Sequence, residues 1–202
     1  MDEEKATVVS EGSVPDNASD DAKQPKKPLK VFLDYALTIG ITALVCFLFI
    51  RFVGVRSVVE GGSMEPMLQD RDNLFLEKVS YYFHDPERFD IIVFELESEP
   101  GEHYIKRVIG LPGETVQITD GVVYINGEIL AGDIYCDELI ERAYLARSPI
   151  TLKEDEFFVL GDNRNNSRDS RSASVGPIHR SQILGKAVLR FWPITKITLL
   201  GK

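Results

Sequence analysis

The sequence predicts a mainly β domain of antiparallel sheet behind one N-terminal transmembrane helix. Three observations carry that prediction. An uncharged stretch from Tyr35 to Ile50 is bracketed by Asp34 and Arg51. Short runs rich in Val, Ile, Phe and Tyr recur through the rest of the chain. The connections between them include Leu111-Pro112-Gly113, Thr119-Asp120-Gly121 and Asn126-Gly127, and Asn-Gly is favoured in two-residue hairpins because both central residues take positive φ.

Residues 1–28 are poor in large apolar side chains and rich in Asp, Glu, Ser, Pro and Lys. They bury too little surface to offset the entropy of ordering, so they read as a disordered cytoplasmic tail. Residues 29–53 form the anchor. The uncharged core alone is shorter than the roughly twenty residues a ~30 Å hydrocarbon layer needs, but Val31 to Leu33 and Phe52 to Val55 extend it. A core helix would show a polar face, whereas this stretch offers only Thr38 and Thr42. A cleavable signal starts nearer the N-terminus, so an uncleaved anchor fits better. Lys23, Lys26, Lys27 and Lys30 precede the span and only Arg51 and Arg56 follow it closely, which places the N-terminus in the cytoplasm and residues 54–202 outside.

Within 54–202, runs at 73–77, 90–94, 104–109, 114–118, 122–125, 156–160 and 186–191 read as strands. Helix is scarce there: 69–80 can hold a turn and 137–147 is a weak helix candidate. The formal charge of −9 argues against a nucleic-acid partner. Cys46 falls in the span and Cys136 in the outer domain, so the chain forms no internal disulfide framework. His84, His103 and His179 have no partner at metal or triad spacing, and neither a metal nor a cofactor is expected.

Three blocks carry chemistry: Gly62-Ser63-Met64-Glu65-Pro66, Tyr104-Ile105-Lys106-Arg107-Val108-Ile109-Gly110, and Gly161-Asp162-Asn163-Arg164-Asn165-Asn166-Ser167-Arg168-Asp169-Ser170-Arg171. A serine hydroxyl is a poor nucleophile until a base removes its proton, and a lysine serves as that base only when neutral. Burial among apolar neighbours lowers a lysine pKa, and Lys106 lies between Ile105 and Val108-Ile109. In an extended strand Lys106 shares a face with Tyr104 and Val108, while Ile105 and Arg107 point away.

With these blocks in this order, the chain resembles the bacterial type I signal peptidases, also called leader peptidases, from the membrane segment to the C-terminus. They are membrane-bound Ser/Lys enzymes that clip signal peptides from exported proteins. The resemblance implies an antiparallel β catalytic domain with a shallow apolar groove. It implies Ser63 as nucleophile, Lys106 as general base and Ser167 as the hydroxyl that orients the lysine. Val59, Met64, Leu68, Tyr104 and Ile105 are implied as substrate-pocket residues. Asp162, Arg164, Asp169 and Arg171 become structural ion-pair residues beneath the site, one pair involving Arg107.

The implied partners are secretory preproteins with Ala-x-Ala-type signal peptides and the lipid bilayer, and the implied location is the bacterial plasma membrane. The chain departs from one branch of the family at Gly61, where some members carry a serine hydroxyl for the oxyanion hole, and at Met67, where threonine is common. Two rivals stand beside this reading: a tethered β-domain that binds peptide or glycan without cleaving it, and a Ser/Lys peptidase dedicated to pilin or conjugation substrates.

Overall fold

The protein is described by a computed structural model over residues 28–48 and 54–200. Residues 1–27 of the expected tail, 1–28, and the end of the expected anchor, 49–53, lie outside the described residues, and Pro28 belongs to the helix.

Helix α1 spans Pro28–Leu48. Proline suits a first helical turn, where its missing N–H is not needed, and no other helix breaker except Gly40 interrupts the run. At 1.5 Å per residue its 21 residues reach about 32 Å, and Leu29–Phe47 is long and apolar enough to cross a membrane. Leu29, Phe32, Leu33, Leu37 and Ile39 are all exposed, a costly arrangement in water but not in lipid. The Thr38 hydroxyl donates to the Asp34 carbonyl at 2.8 Å, so this polar group is satisfied within the helix.

The remainder forms two antiparallel sheets. The larger joins β1 (Gly54–Val58), β2 (Asn73–Glu77), β11 (Ile183–Trp192), β3 (Ile91–Glu95), β4 (His103–Gly110), β9 (Glu156–Leu160) and β10 (Ile178–His179) in that order, with β12 (Thr198–Leu199) beside β11. The smaller runs β7 (Glu128–Ile129), β6 (Val122–Ile125), β5 (Thr115–Thr119) and β8 (Ile150–Thr151).

The central strands are apolar at nearly every position because both faces of the large sheet are covered. In β3, Ile91 and Val93 pack into one buried cluster with Val59, Met64, Leu68 and Ile105, while Ile92 and Phe94 pack into another with Val108, Val159 and Phe157. The small sheet alternates instead: Val116, Ile118, Val123 and Ile125 are buried, with Thr115, Gln117 and Tyr124 between them less covered. Gly110 lets the sheets meet, since a Cβ there would lie 2.6 Å from Val116 and 2.9 Å from Leu152.

Each of the seven expected strands exists, with ends shifted by a few residues; the last begins at Ile183 rather than 186. The helix candidates shrink to single 3₁₀ turns, Ser80–Tyr82 and Tyr144–Arg147. Five strands had no expectation attached: β1, β7, β8, β10 and β12. Four of those five are two residues long, too short to show a period.

Beside the groove, two stretches of the large sheet lack a partner on one side. Strand β1 is hydrogen-bonded only to β2 and is a sheet edge. Strand β4 pairs with β3 along His103 to Arg107, but β9 pairs with it only from Arg107 onward. The segment 103–106 is therefore open on one side, and residues 56–60 and 101–106 together line a groove of about 640 Å³.

Candidate active site

Ser63 sits in the turn that follows β1. That turn is held by Glu65 N–H donating to the Gly62 carbonyl at 3.2 Å and Leu68 N–H donating to the Met64 carbonyl at 2.8 Å. Gly61 adopts φ +81°, a region that favours glycine. Met64 and Leu68 point into the core and pin the turn from beneath. Lys106 reaches the same point from β4: its Nζ donates to Ser63 Oγ at 2.8 Å and to the Ile105 carbonyl at 2.8 Å.

Lys106 is 3% exposed. Burial pushes its amine down from 10.5 to about 8, with the more distant carboxylates of Asp169 and Asp162 opposing that shift weakly. Arg107, the neighbouring cation, is engaged elsewhere. Its Nε and Nη2 donate to Asp162 Oδ1 and Oδ2 at 2.7 Å each, Nη1 donates to the Phe89 carbonyl at 2.8 Å, and the guanidinium lies 3.4 Å from the centre of the Tyr135 ring. Tyr104 and Val108 pack in one cluster and Ile105 in another, as strand alternation requires.

The third block forms the underside of the site. Besides Asp162–Arg107, Asp169 accepts from Arg171 Nε at 2.8 Å, and Arg164 makes a two-pronged pair with Asp133 at 2.8 and 3.0 Å. Asp162, Arg164, Asp169 and Arg171 are all buried. Their remaining hydrogen-bonding capacity goes to backbone: Gly161 N–H to Asp169, Arg164 Nε to the Gly161 carbonyl, and Arg171 Nη2 to the Arg164 carbonyl. Buried charges persist where they are paired and hydrogen-bonded in this way. Asp133 and Tyr135 had no signal in the sequence.

Asn163 ties this block to the Ser63 turn. Its backbone N–H donates to the Ser63 carbonyl and its side-chain Nδ2 to the Gly62 carbonyl, both at 3.1 Å. Gly161 lies in the same contact. A Cβ there would sit 2.4 Å from the Ser63 carbonyl oxygen and 2.3 Å from Ser167 Oγ, so only glycine admits this approach.

Two expected site residues are placed differently. Ser167 Oγ is buried without a hydrogen-bond partner, so the expected bond to Lys106 is not made; the Lys106 amine donates to Ser63 and to the Ile105 carbonyl. Leu68 is fully buried in the core and stands behind the groove wall, because the turn directs it inward with Met64. Val59, Met64, Tyr104 and Ile105 do line the groove with Ser63 and Lys106. The Tyr104 hydroxyl is held by Glu99, which pushes its pKa up to about 12. Met67 is partly buried against the core, and its carbonyl accepts from Arg190 at 2.9 Å. Among the described residues no histidine is hydrogen-bonded to Ser63; His179 pairs with Asp155 at 3.1 Å.

A serine hydroxyl and a desolvated amine in contact at the floor of an open-edged groove form an arrangement for acyl transfer. The family profile described as "Signal peptidase, peptidase S26" matches residues 32–192. A signal peptidase I of Leptolyngbya laminosa is 41% identical over 187 residues, covering 89% of each chain. A probable signal peptidase I-2 of Synechocystis is 37% identical over 190 residues, covering 88% of this chain and 81% of its own. Signal peptidase I T of Bacillus subtilis is 35% identical over 181 residues, covering 87% and 93%. The protein is thus a peptidase, a hydrolase of peptide bonds. It belongs to the signal peptidase family, peptidase S26.

Proposed function

We propose that the protein is a membrane-anchored serine endopeptidase that removes N-terminal signal peptides from secreted precursors, with Ser63 as nucleophile and Lys106 as general base. The observation that carries this reading is the 2.8 Å contact between Ser63 Oγ and an amine brought by burial to about 8. In the neutral state the contact reverses, the hydroxyl donating to the amine lone pair. Ser63 Oγ then bonds to the scissile carbonyl carbon while its proton passes to Lys106 Nζ. Collapse of the tetrahedral intermediate breaks the C–N bond, and the proton leaves with the amine. A water activated by the same lysine hydrolyses the acyl-enzyme.

The substrate enters as an extended strand. The open side of 103–106 and the edge strand β1 present unpaired backbone groups to the groove, which suits strand addition, a mode in which backbone bonds give affinity and alternate side chains give specificity. Next to Ser63 the wall is filled by Met64, Val59 and Ile105, which are 1%, 3% and 8% exposed. Little room is left for a large side chain beside the cut. The protein would accordingly cleave after a small residue, with another small one two positions earlier, as in Ala-x-Ala. It lies in the plasma membrane of a bacterium, α1 crossing the bilayer with the N-terminus inside.

The test is cleavage of a defined precursor by the full chain, with N-terminal sequencing of the product; a well-folded protein that cleaves no precursor would leave the tethered binding domain as the better reading. In a series with alanine, glycine, valine, leucine and phenylalanine just before the cut, alanine is expected to exceed leucine by about 10-fold or more. Equal rates for alanine and leucine would contradict the pocket assignment.

The pH profile has a worked-out sign. Below about 8 Lys106 is protonated and cannot accept the Ser63 proton, so kcat/KM should fall about tenfold per pH unit on the acid side and level off above 8. A profile set by an ionisation near ~6.5 would point instead to a histidine.

A further inference from the structure

An oxyanion forming on the scissile carbonyl needs a donor, and the backbone N–H of Ser63 donates to no group among the described residues. The amide two positions earlier offers less: Gly61 N–H is occupied by Asp70 Oδ1 at 2.9 Å. Where the Ser63 N–H points is fixed by the peptide plane it shares with the Gly62 carbonyl. In a trans amide the two groups point in opposite directions, so whatever grips the carbonyl aims the N–H.

Two donors grip it. One is Glu65 N–H from within the turn at 3.2 Å, and the other is Asn163 Nδ2 at 3.1 Å. Asn163 is separated from Gly62 by 101 positions in sequence, and its own backbone N–H also holds the Ser63 carbonyl at 3.1 Å. One residue therefore secures the carbonyls on both sides of the Ser63 α-carbon. Asn163 is itself fixed by the two residues before it: Gly161, against which Ser63 packs without room for a Cβ, and Asp162, which is clamped by Arg107. The amide must present its NH₂ to Gly62, since the reverse orientation would set two oxygens against each other.

We propose that Asn163 is a positioning residue for acylation: by holding the Gly62 carbonyl, its side-chain amide aims the Ser63 N–H at the anionic oxygen of the tetrahedral intermediate. This rests on Ser63 being the nucleophile. Asn163 does not line the groove and is not hydrogen-bonded to Lys106, so its influence falls on the transition state and leaves ground-state binding and the base unchanged. Losing a whole oxyanion donor costs roughly 10²–10³-fold in kcat. A misaimed donor is expected to cost about 10–100-fold.

The experiment uses the full chain in detergent with Asn163→Ala and Asn163→Asp. Precursor cleavage is read beside affinity for an alanine-terminated peptide boronate, which adds to Ser63 Oγ as a tetrahedral anion, and for the same peptide with a reduced scissile bond, which has no carbonyl. Asn163→Ala should lower kcat with KM within about twofold, weaken the boronate by a similar factor and leave the reduced peptide unchanged. The acid limb of its pH profile should stay near 8. Asn163→Asp should be worse than Asn163→Ala, because an oxygen then faces the Gly62 oxygen. The inference is overturned by wild-type kcat in Asn163→Ala, by a loss carried in KM, by Asn163→Asp matching or exceeding the activity of Asn163→Ala, or by variants that do not fold. If the wild type neither cleaves precursor nor binds the boronate, the Ser63 reading itself fails; if it does both and the variants match it, only the role of Asn163 is lost.

Discussion

Ser63→Ala and Lys106→Ala are each expected to reduce precursor cleavage by at least ~10⁴-fold, and the double variant to be no worse than either single one. Groups that act as one unit show this non-additivity, because the loss of either already removes the shared step. Single-residue replacement should spare the fold. Lys106 gains little from burial, since its charged form is penalised there, and Ser63 contributes one hydroxyl to a turn pinned mainly by Met64 and Leu68. The measurement is cleavage of a defined precursor by the three variants, with thermal unfolding as the control for structure. A double variant far slower than both singles would show that serine and lysine act in separate steps.

Asp162→Ala is expected to cost about 3–5 kcal/mol of stability, the range for stranding one member of a buried ion pair. The side chains of Arg107 and Asp162 are 1% and 0% exposed, and the two share two 2.7 Å hydrogen bonds. Removing the carboxylate leaves a guanidinium that cannot deprotonate and that water cannot reach. With total stabilities of about 5–15 kcal/mol, such a loss takes much of the margin; for a domain of this size it is roughly 6–20 °C in Tm. Replacing both partners together, as in Arg107→Met with Asp162→Leu, should recover a large part of the loss by removing the stranded charge. An Asp162→Ala variant that melts with the wild type would mean that the pair is not buried in solution.

Legibility followed the length over which a pattern repeats. The strands β2, β3, β4, β5, β6, β9 and β11 have four to ten residues of apolar or alternating character and were readable on that basis. Strand β1, Gly-Val-Arg-Ser-Val, has two polar side chains and a glycine; its place in the sheet comes from pairing with β2, which no local signal announces. The charges of the third block were legible as a group that must pair, yet their partners were not. Asp133 and Tyr135 lie in a segment with no period, and they meet Arg164 and Arg107 only because the small sheet folds against the large one.

Ser63 and Lys106 could be named as the proposed nucleophile and base because the chemistry restricts the residue types and because a family resemblance fixed their spacing. Ser167 and Leu68 were named by the same resemblance. Ser167 does lie beside Gly161 and Ser63 but makes no hydrogen bond to Lys106, and the turn directs Leu68 inward, behind the groove wall. Asn163 was visible only as a letter in a motif. The role proposed for it depends on a carbonyl 101 residues away.

The open side of residues 103–106 carries a hazard as well as a use. A strand that leaves backbone donors and acceptors free to receive a guest will also receive a neighbour, and an unpaired edge is a template for aggregation. The groove limits that risk by its flanks: Arg56, Glu60, Glu102 and Arg168 surround it, and only a short stretch of β4 is left unpaired. Gaining a longer or more apolar rim here would risk turning the proposed site for a single strand into a seed for many.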